Sequence, residues 1–241
     1  MRNQLFFNGK ALSDFGVEVK GDAVYNSPQR DVESISVPGR NGDLLIDNGR
    51  YSNIQVTYPA FILRTFQGMF DAFRAFMLAN TGYHRIQDTY HPEEYRIGRL
   101  SSQIEAKVYE LGSTGTFDLT FDCKPQRFLV SGEKKIVFTN VGALKNPTHY
   151  DAKPLIKVNG IGIITINDTS VQVEESGITI DCDMQEAYKD GVYKNDKIVL
   201  ENGIFPALKS GINSIEATWY NTTEQITATN NIEITPRWWT L

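Results

Sequence analysis

The stretch Leu155-Ile-Lys-Val-Asn-Gly-Ile-Gly-Ile-Ile-Thr-Ile-Asn-Asp168 decides the fold class of the C-terminal half of the chain. It contains two short runs in which β-branched residues alternate with polar or small ones, a pattern typical of half-buried strands. Asn159-Gly160 separates the two runs and has the composition of a turn. We therefore expect two strands joined at Asn159-Gly160.

Further short strands are predicted beyond this stretch, separated by Gly, Asn and Asp residues. The runs are Ser170-Val-Gln-Val, Gly177-Ile-Thr-Ile-Asp-Cys, Lys197-Ile-Val-Leu, Asn213-Ser-Ile-Glu-Ala-Thr-Trp and Ile232-Glu-Ile. Regularly spaced short strands with turn residues between them are typical of a β-sandwich. The second half is therefore expected to be a sandwich.

The first half mixes strands with one helix. Leu5-Phe-Phe-Asn-Gly-Lys predicts a strand ending in an Asn-Gly turn, and Gly16-Val-Glu-Val-Lys predicts a second strand. In residues 64–80, Phe66, Phe70, Phe73 and Met77 form one apolar stripe with helical spacing, broadened by Met69 and Phe76. Asn80 and Gly82 are suitable signals for the end of this helix. The stripe is read as a core face rather than a ligand site.

Four more strands are predicted in this half. Ser34-Ile-Ser-Val-Pro alternates, with Ile35 and Val37 expected to point inward, and Asn41-Gly42 after it is suited to a hairpin turn. The others are Leu44-Leu-Ile, Ile54-Gln-Val-Thr-Tyr, which Pro59 is expected to close, and Phe117–Cys123, whose polar face carries Asp118, Thr120 and Asp122.

The basic residues indicate two units. Up to Arg127 there are ten Arg and four Lys, whereas nine Lys and only Arg237 follow. We place the boundary between residues 125 and 135, which gives domains of 1–130 and 131–241. The predicted fold class is mainly β: an α+β N-terminal domain with one long helix, followed by a β-sandwich.

Composition narrows the function. The 241 residues are 41% hydrophobic, which is enough for a core, and contain no apolar run long enough for a membrane span or a signal peptide. We therefore expect a product of a cytoplasm that does not bind membranes. The net charge of -5 disfavours a duplex-binding domain. The favoured interpretation of this charge is an ordinary soluble surface. The alternative is a surface that nucleic acid can move past without binding to it.

Few residues have the pattern of reactive chemistry. Cys123 and Cys182 are expected to be free, buried thiols. His84 and His91, with Asp88, Glu93 and Glu94 nearby, have a spacing of seven that fits no metal motif, so they are read as polar loop residues. No nucleophile elbow or phosphate-binding glycine loop is present. We expect no enzyme, no cofactor and no metal, but a structural or binding role.

Trp238-Trp239 allows two interpretations. The rings could stack on sugars, or they could fix the last strand by burying large apolar surface, which is the favoured interpretation.

Several stretches together carry a resemblance to a known family. They are Asn26-Ser-Pro-Gln-Arg-Asp-Val-Glu-Ser-Ile-Ser-Val-Pro-Gly-Arg-Asn-Gly-Asp-Leu44, Asp47-Asn-Gly-Arg-Tyr51, Val56-Thr-Tyr-Pro59, Gly82-Tyr-His-Arg-Ile-Gln-Asp-Thr-Tyr-His-Pro-Glu-Glu-Tyr-Arg96 and Ile234-Thr-Pro-Arg-Trp-Trp-Thr-Leu241. In this order along the chain they resemble the distal tail (Dit) proteins of phages with long non-contractile tails and of their prophages.

The resemblance implies a structural hub at the virion tail tip, or baseplate, made in the host cytoplasm. Such a hub is a ring, usually a hexamer, formed by the N-terminal domain, with a galectin-like C-terminal sandwich projecting outward. It joins the tail tube protein to a tail-associated lysin or fibre, and it can carry a receptor-binding protein. DNA passes through its channel without specific binding.

Candidate interface residues follow from the resemblance. They are Arg40, Asn41, Gly42 and Asp43 in the turn, and Arg85 and Arg96 at the ends of a tyrosine-rich segment; the alternative for each is an ordinary exposed position. Two other functions stay open: a carbohydrate-binding module for host wall polysaccharide, and a wall hydrolase with paired carboxylates. The second half lacks room for an inserted carbohydrate-binding module, and a galectin-like fold alone does not imply sugar binding.

Overall fold

The computed structural model describes residues 3–20, 26–109, 113–220 and 230–241. The chain divides into two compact units. Unit 1 comprises Met1–Arg127 together with Leu241, and unit 2 comprises Phe128–Thr240. The protein is mainly β, as predicted, and α1 is the one α-helix among the described residues.

Unit 1 is built on one large sheet. Its elements are β1 (Leu5–Phe7), β2 (Lys10–Ala11), β3 (Glu18–Val19), β4 (Arg30–Ile35), β5 (Leu44–Tyr51), β6 (Ile54–Ile62), α1 (Phe66–Ala79), β7 (His84–Asp88), β8 (Glu94–Leu100), β9 (Ala106–Tyr109) and β10 (Thr114–Leu129). The sheet order is β2-β1-β7-β8-β10-β6-β3, and β9 also pairs with β10. β4 and β5 form a separate two-stranded sheet.

Helix α1 covers one face of this sheet, and the predicted apolar stripe is its buried side. Phe66, Phe73 and Met77 are buried, and the Phe73 ring lies 5.4 Å from the ring of Phe117 on β10. The Asn80 side chain donates from Nδ2 to the Phe76 carbonyl oxygen at 2.8 Å, which satisfies a carbonyl of the last turn. The predicted helix and its end at Asn80 are confirmed.

The Asn-Gly turn after β1 is also confirmed. Asn8 and Gly9 have φ angles of 49° and 76°, and β1 pairs antiparallel with β2 across them. A two-residue turn with positive φ at both positions matches the right-handed twist of a hairpin, and Asn-Gly tolerates it best.

The prediction that Pro59 closes its strand is wrong. β6 continues to Ile62, and Pro59 pairs with Asp118 of β10. The Pro59 carbonyl oxygen accepts from the Lys20 amide at 2.8 Å, so the backbone of this residue faces the β3 side of the sheet. The missing N–H therefore removes no bond to β10, and the strand tolerates the proline.

The inward orientation predicted for Ile35 and Val37 is wrong as well. Ile35 is 38% exposed, and Val37 lies beyond the end of β4 and is 37% exposed. The hairpin turn also differs from the expectation, because Gly42 has a positive φ whereas Asn41 does not. The chain turns first at Pro38 and Gly39, where the Arg40 amide donates to the Val37 carbonyl oxygen at 3.2 Å. Proline followed by a glycine with φ of 79° is typical of a type II turn.

The strand predicted at Phe117–Cys123 lies within β10. Phe117, Leu119, Phe121 and Cys123 are all buried, and Asp118 on the other face is exposed. Asp122, which was expected on the same polar face, is buried instead of exposed. Arg99 Nε donates to its Oδ2 at 3.2 Å.

Unit 2 is a sandwich of two sheets, as predicted. Its strands are β11 (Ile136–Phe138), β12 (Val141–Asn146), β13 (Leu155–Asn159), β14 (Gly162–Ile166), β15 (Thr169–Val173), β16 (Ile178–Asp181), β17 (Glu186–Lys189), β18 (Val192–Tyr193), β19 (Ile198–Leu200), β20 (Gly211–Trp219) and β21 (Asn231–Thr235). A last short strand, β22 (Trp239–Thr240), belongs to neither sheet of the sandwich. One sheet has the order β11-β21-β13-β16-β17-β18, and the other has the order β12-β20-β14-β15-β19.

The two strands predicted around Asn159-Gly160 exist, but they belong to different sheets. β13 pairs with β16 and β21, whereas β14 pairs with β15 and β20. A Cβ at Gly160 would lie 2.6 Å from the Trp219 ring, so only glycine fits where the chain crosses. The alternating apolar residues of both strands meet in one core; Ile156, Val158, Ile164 and Ile166 are at most 1% exposed.

Candidate assembly interface

The hairpin of β4 and β5 is held together by its own side chains. Arg30 Nε donates to both carboxylate oxygens of Asp47 at 3.0 Å, and its guanidinium lies 4.9 Å from the Tyr51 ring centre. Asp31 accepts from Arg50 Nε at 2.6 Å. These pairs are exposed, so each adds little to stability, but together they fix the register of the two strands.

Apolar residues of the hairpin face solvent. Leu45 is 66% exposed, and five further residues are at least 37% exposed: Val32, Ile35, Val37, Leu44 and Ile46. The register places Val32 and Leu45 on one face and Ile35, Leu44 and Ile46 on the other. Because a two-stranded hairpin is at best marginally stable in water, such an apolar hairpin is expected to be covered in the working state.

Electrostatics in the hairpin follow these pairs. The hydrogen bond that Arg30 donates to Asp47 raises the pKa of Arg30, while the hydrogen bonds from the Gly49 amide and Arg30 lower the pKa of the Asp47 carboxyl. The Arg50 hydrogen bond likewise lowers the pKa of Asp31. All three groups are therefore charged at neutral pH, and the hairpin carries polar pairs beside its apolar residues.

The four turn residues of the candidate interface lie in the loop between β4 and β5. Arg40, Asn41, Gly42 and Asp43 are all exposed. Asp43 is tied to the end of β4, because the Ser34 hydroxyl donates to its Oδ2 at 2.6 Å. The loop therefore presents Arg40 and Asn41 at the tip of the apolar hairpin.

Arg85 and Arg96 lie on β7 and β8 and face opposite sides of the sheet. Arg85 pairs with Ile97 and Arg96 pairs with Ile86, so the two arginines are offset by one residue in register. The Arg85 guanidinium lies 4.0 Å from the Tyr95 ring centre and donates to Gln87 Oε1 at 3.0 Å. Arg96 shares the face of buried Ile86, and its Nη1 is closed off from solvent. The structure thus does not bring the two together in one exposed patch.

The histidines occupy polar local sites. His84 Nε2 lies 2.9 Å from the Thr81 carbonyl oxygen, and His91 Nδ1 lies 3.2 Å from Asp88 Oδ1. Within the residues that the structure describes, no group of three His, Cys, Asp or Glu side chains could hold a metal ion. No helix in the same residues has the length and apolar character needed to cross a membrane.

The aromatic residues of unit 2 are used for packing. Trp238 is 4% exposed in the core, as the favoured interpretation of the tryptophan pair predicted. Trp239 stacks on Tyr150 at 4.6 Å and donates from Nε1 to the Asp151 carbonyl oxygen. Trp219 donates from Nε1 to the Thr139 carbonyl oxygen at 2.6 Å. These contacts use the Nε1 groups of Trp219 and Trp239 and one face of the Trp239 ring.

Sequence reasoning missed the apolar residues of the hairpin as candidates for an interface. The available signal was Leu44-Leu-Ile46, three consecutive apolar residues where a strand with one buried face would alternate. Such a run predicts a strand with both faces covered, and the described part of this chain supplies no second layer for it.

The sheet with one helix and the two-sheet sandwich are similar in fold to a solved phage hub protein. The solved structure that carries this comparison is the SPP1 Dit protein (gp 19.1), described as a paradigm of the hub adsorption apparatus in phages that infect Gram-positive bacteria. It aligns over 100% of both chains with a TM-score of 0.66 and 13% identity.

Baseplate structures of phage P2 in the activated conformation align as well. The calcium form covers 97% of this chain and 98% of that chain with a TM-score of 0.49 and 9% identity. The strontium form has a TM-score of 0.46 at 9% identity and covers 97% of each chain. Neither a scan of protein-family models nor a search of curated proteins finds a match to this chain.

Proposed function

We propose that the chain is a distal tail protein: a non-enzymatic structural hub in the tail tip or baseplate of a phage with a long non-contractile tail. Six copies form a ring through unit 1, and the sandwich of unit 2, galectin-like in this proposal, projects outward. One face of the ring binds the tail tube protein, and the other binds a tail-associated lysin or fibre and a receptor-binding protein. The chain is made in the host cytoplasm and ends in the virion.

The hub fold, matched over the whole chain, supports the class of protein, and the ordered sequence stretches support it independently of the fold. The two lines of support are independent, because at 13% identity the structural alignment does not result from shared sequence motifs.

The exposed hairpin is the observation that carries the ring. A closed ring needs two different complementary surfaces on each copy, since head-to-tail contacts are heterologous. The hairpin supplies one of them as a slender element with apolar residues on both faces and charged pairs beside them. The proposed occupant is a second copy of this chain, because a head-to-tail ring buries a surface of each copy against a different surface of the next.

Charge is compatible with a DNA channel. Six copies at a net charge of -5 give a ring of about -30, which disfavours adhesion of a polyanion. This supports free passage of the genome and gives no reason to expect specific binding.

Light scattering over a concentration series tests the ring. The proposal expects a species of about 163 kDa, six times the chain mass of 27.2 kDa. In Leu45→Ser, each interface loses a buried leucine worth about 1.5–3 kcal/mol, so assembly shifts to at least about tenfold higher concentration. Ile212→Ser is the matched control, because Ile212 is 78% exposed on β20 of unit 2.

Monomers at every concentration would contradict a self-assembling ring. If the Leu45→Ser and Ile212→Ser variants lost assembly equally, the assignment of the interface to the hairpin would be wrong. The proposal that the wild-type chain forms a ring would stand.

A further inference from the structure

Unit 1 contains a cavity of about 40 Å³ on the inner face of its large sheet. Residues from β6, β7, β8 and the far end of β10 line it, together with Lys20 and Asn3. Its charged lining consists of three basic side chains, Lys20, Arg96 and Arg127, and two acidic ones, Asp88 and Glu94. None of the assembly residues of the hairpin contributes to it.

Arg96 is the unusual group in this cavity. Its Nη1 is buried, and within the described ranges no acceptor lies within hydrogen-bond distance of it. Burial lowers the pKa of Arg96, and the nearby charge of Arg127 acts in the same direction. Buried arginines are ordinarily paired, because a guanidinium removed from water without a counter-charge is strongly disfavoured.

The acidic side chains of the cavity already have donors. Asp88 Oδ2 accepts from the Tyr58 hydroxyl at 2.9 Å, and its Oδ1 accepts from the backbone amides of Tyr90 and His91 at 2.9 Å. Glu94 Oε2 accepts from Arg127 Nη1 at 3.2 Å. Among the described residues neither carboxylate forms a hydrogen bond with Arg96, although the negative charge of Glu94 acts on its guanidinium.

Arg127 repeats the same feature. Its Nη1 and Nη2 are used, the second by the Leu241 carbonyl oxygen at 2.6 Å, but its Nε is buried and has no acceptor among the described residues. The guanidinium groups of Arg96 and Arg127 influence each other electrostatically. Each has one buried N–H group without an acceptor among the described residues.

We propose that this cavity is a binding site for one small oxyanion, held between the guanidinium groups of Arg96 and Arg127. The planar N–H groups of arginine match carboxylate and phosphate oxygens, and buried pairing with charge strengthens these hydrogen bonds. A volume of about 40 Å³ exceeds what one water needs and suits a group of a few heavy atoms. One negative charge balances the excess of one positive charge in the lining.

Thermal unfolding of the full chain, with inorganic phosphate as the probe, tests this site. At constant ionic strength set with chloride, phosphate is expected to raise the midpoint in a saturable way. At ten times its dissociation constant it raises the ratio of folded to unfolded protein about elevenfold. Sulfate and acetate form two further arms, which separate a tetrahedral oxyanion from a carboxylate.

Arg96→Met removes the proposed ligand group and keeps most of the volume. Because an apolar replacement of an unpaired buried charge is neutral or stabilising, this variant is expected to fold and to lose the response to phosphate. Arg74→Met is the matched control, since Arg74 lies on the exposed side of α1 and pairs only with Asp71 among the described residues. This control keeps the full response.

Equilibrium dialysis with labelled phosphate and labelled acetate gives a second readout that does not depend on stability. The proposal expects one bound anion per chain for the wild type and at least a tenfold weaker binding for Arg96→Met. If neither anion binds, or if Arg96→Met responds as the wild type does, the proposal is overturned and the cavity holds water only. The proposed ring is unaffected by either result.

Discussion

Arg237 and Asp181 form a two-pronged ion pair in unit 2, with Nη1 donating to Oδ1 at 2.7 Å and Nη2 donating to Oδ2 at 2.9 Å. Asp181 also accepts from the backbone amides of Asp183 and Met184. Arg237 adopts a positive φ of 58°, and its own amide donates to the Gly132 carbonyl oxygen at 2.8 Å. The pair therefore fixes the last residues of the sandwich to the end of β16.

Replacement of Arg237 by Met is expected to destabilise unit 2 by about 2–3 kcal/mol, since it leaves the buried Asp181 carboxylate without its cation. Met has the same strain as Arg at positive φ, so the change isolates the ion pair. Urea unfolding at pH 7 measures the effect, and Arg74→Met, with an exposed pair, is expected to change the free energy of unfolding by less than about 0.5 kcal/mol.

Acid should erase this difference. Burial alone would raise the pKa of Asp181, but hydrogen bonds from Arg237 and from the Met184 amide outweigh it, and the pKa lies below its usual value. The stabilisation is thus present above the unfolded pKa of about 3.9 and is lost as the pH falls through the folded value. Urea unfolding between pH 7 and pH 2 should show wild type and Arg237→Met converging. A constant gap would refute this explanation.

Two glycine-to-alanine substitutions should change the stability of the protein in opposite directions. A Cβ at Gly132 would clash with the Trp238 backbone nitrogen, whereas a Cβ at Gly68 in α1 meets nothing within 4 Å. Gly132→Ala is expected to lower the melting temperature, because backbone atoms must shift. Gly68→Ala should raise the stability by about 0.5–1 kcal/mol through helix propensity. Calorimetry of both variants decides; a neutral Gly132→Ala would contradict the close approach.

Both cysteines should be unreactive in the folded protein. Cys123 and Cys182 are free and buried, as predicted, and burial raises the pKa of each thiol to about 12. Relative to an ordinary thiol, the thiolate fraction at pH 8 falls about a thousandfold. A colorimetric thiol reagent should therefore label neither cysteine quickly in native buffer and both in 6 M guanidinium. Rapid labelling of the native chain would show that a core opens.

The turn at the hairpin tip gives a test of the charged part of the interface. Arg40 and Asp43 are exposed, so Arg40→Ala with Asp43→Ala should leave the melting temperature of the monomer within about 1–2 °C. If the proposed ring forms through the hairpin, this double variant has a lower fraction of assembled protein at a fixed concentration. Sedimentation velocity measures this fraction, and an unchanged distribution would remove Arg40 and Asp43 from the interface.

Local patterns predicted the elements whose partners lie within the chain. The stripe of Phe66, Phe73 and Met77 predicted α1 because helical spacing and burial against one sheet have the same period. Asn8-Gly9 predicted its turn because the backbone conformation itself selects those residues. β13 and β14 were predicted as strands, but which sheet each joins depends on β20 and β21, far along the chain.

The candidate interface could be predicted less well from the sequence than the secondary structure. Ile35 alternates like a residue with a buried face, but the covering layer is absent from the described part of its own chain, and a sequence pattern does not say what covers a face. The family resemblance implies an interface role for Arg96, whereas its register, offset by one residue from that of Arg85, places it on the sheet face of buried Ile86.

The hairpin has a consequence for the order of folding. Its strands pair residues that are close in sequence, such as Ile35 with Leu44, so loop closure is short and pairing is expected within microseconds. The large sheet of unit 1 instead joins Leu5 to Asp88, and the sandwich joins Leu144 to Asn213, which are slower, non-local closures. The surface proposed for assembly is thus expected to be formed before either core closes. Newly made chains would then need dilution, chaperones or prompt completion of both cores to avoid premature association.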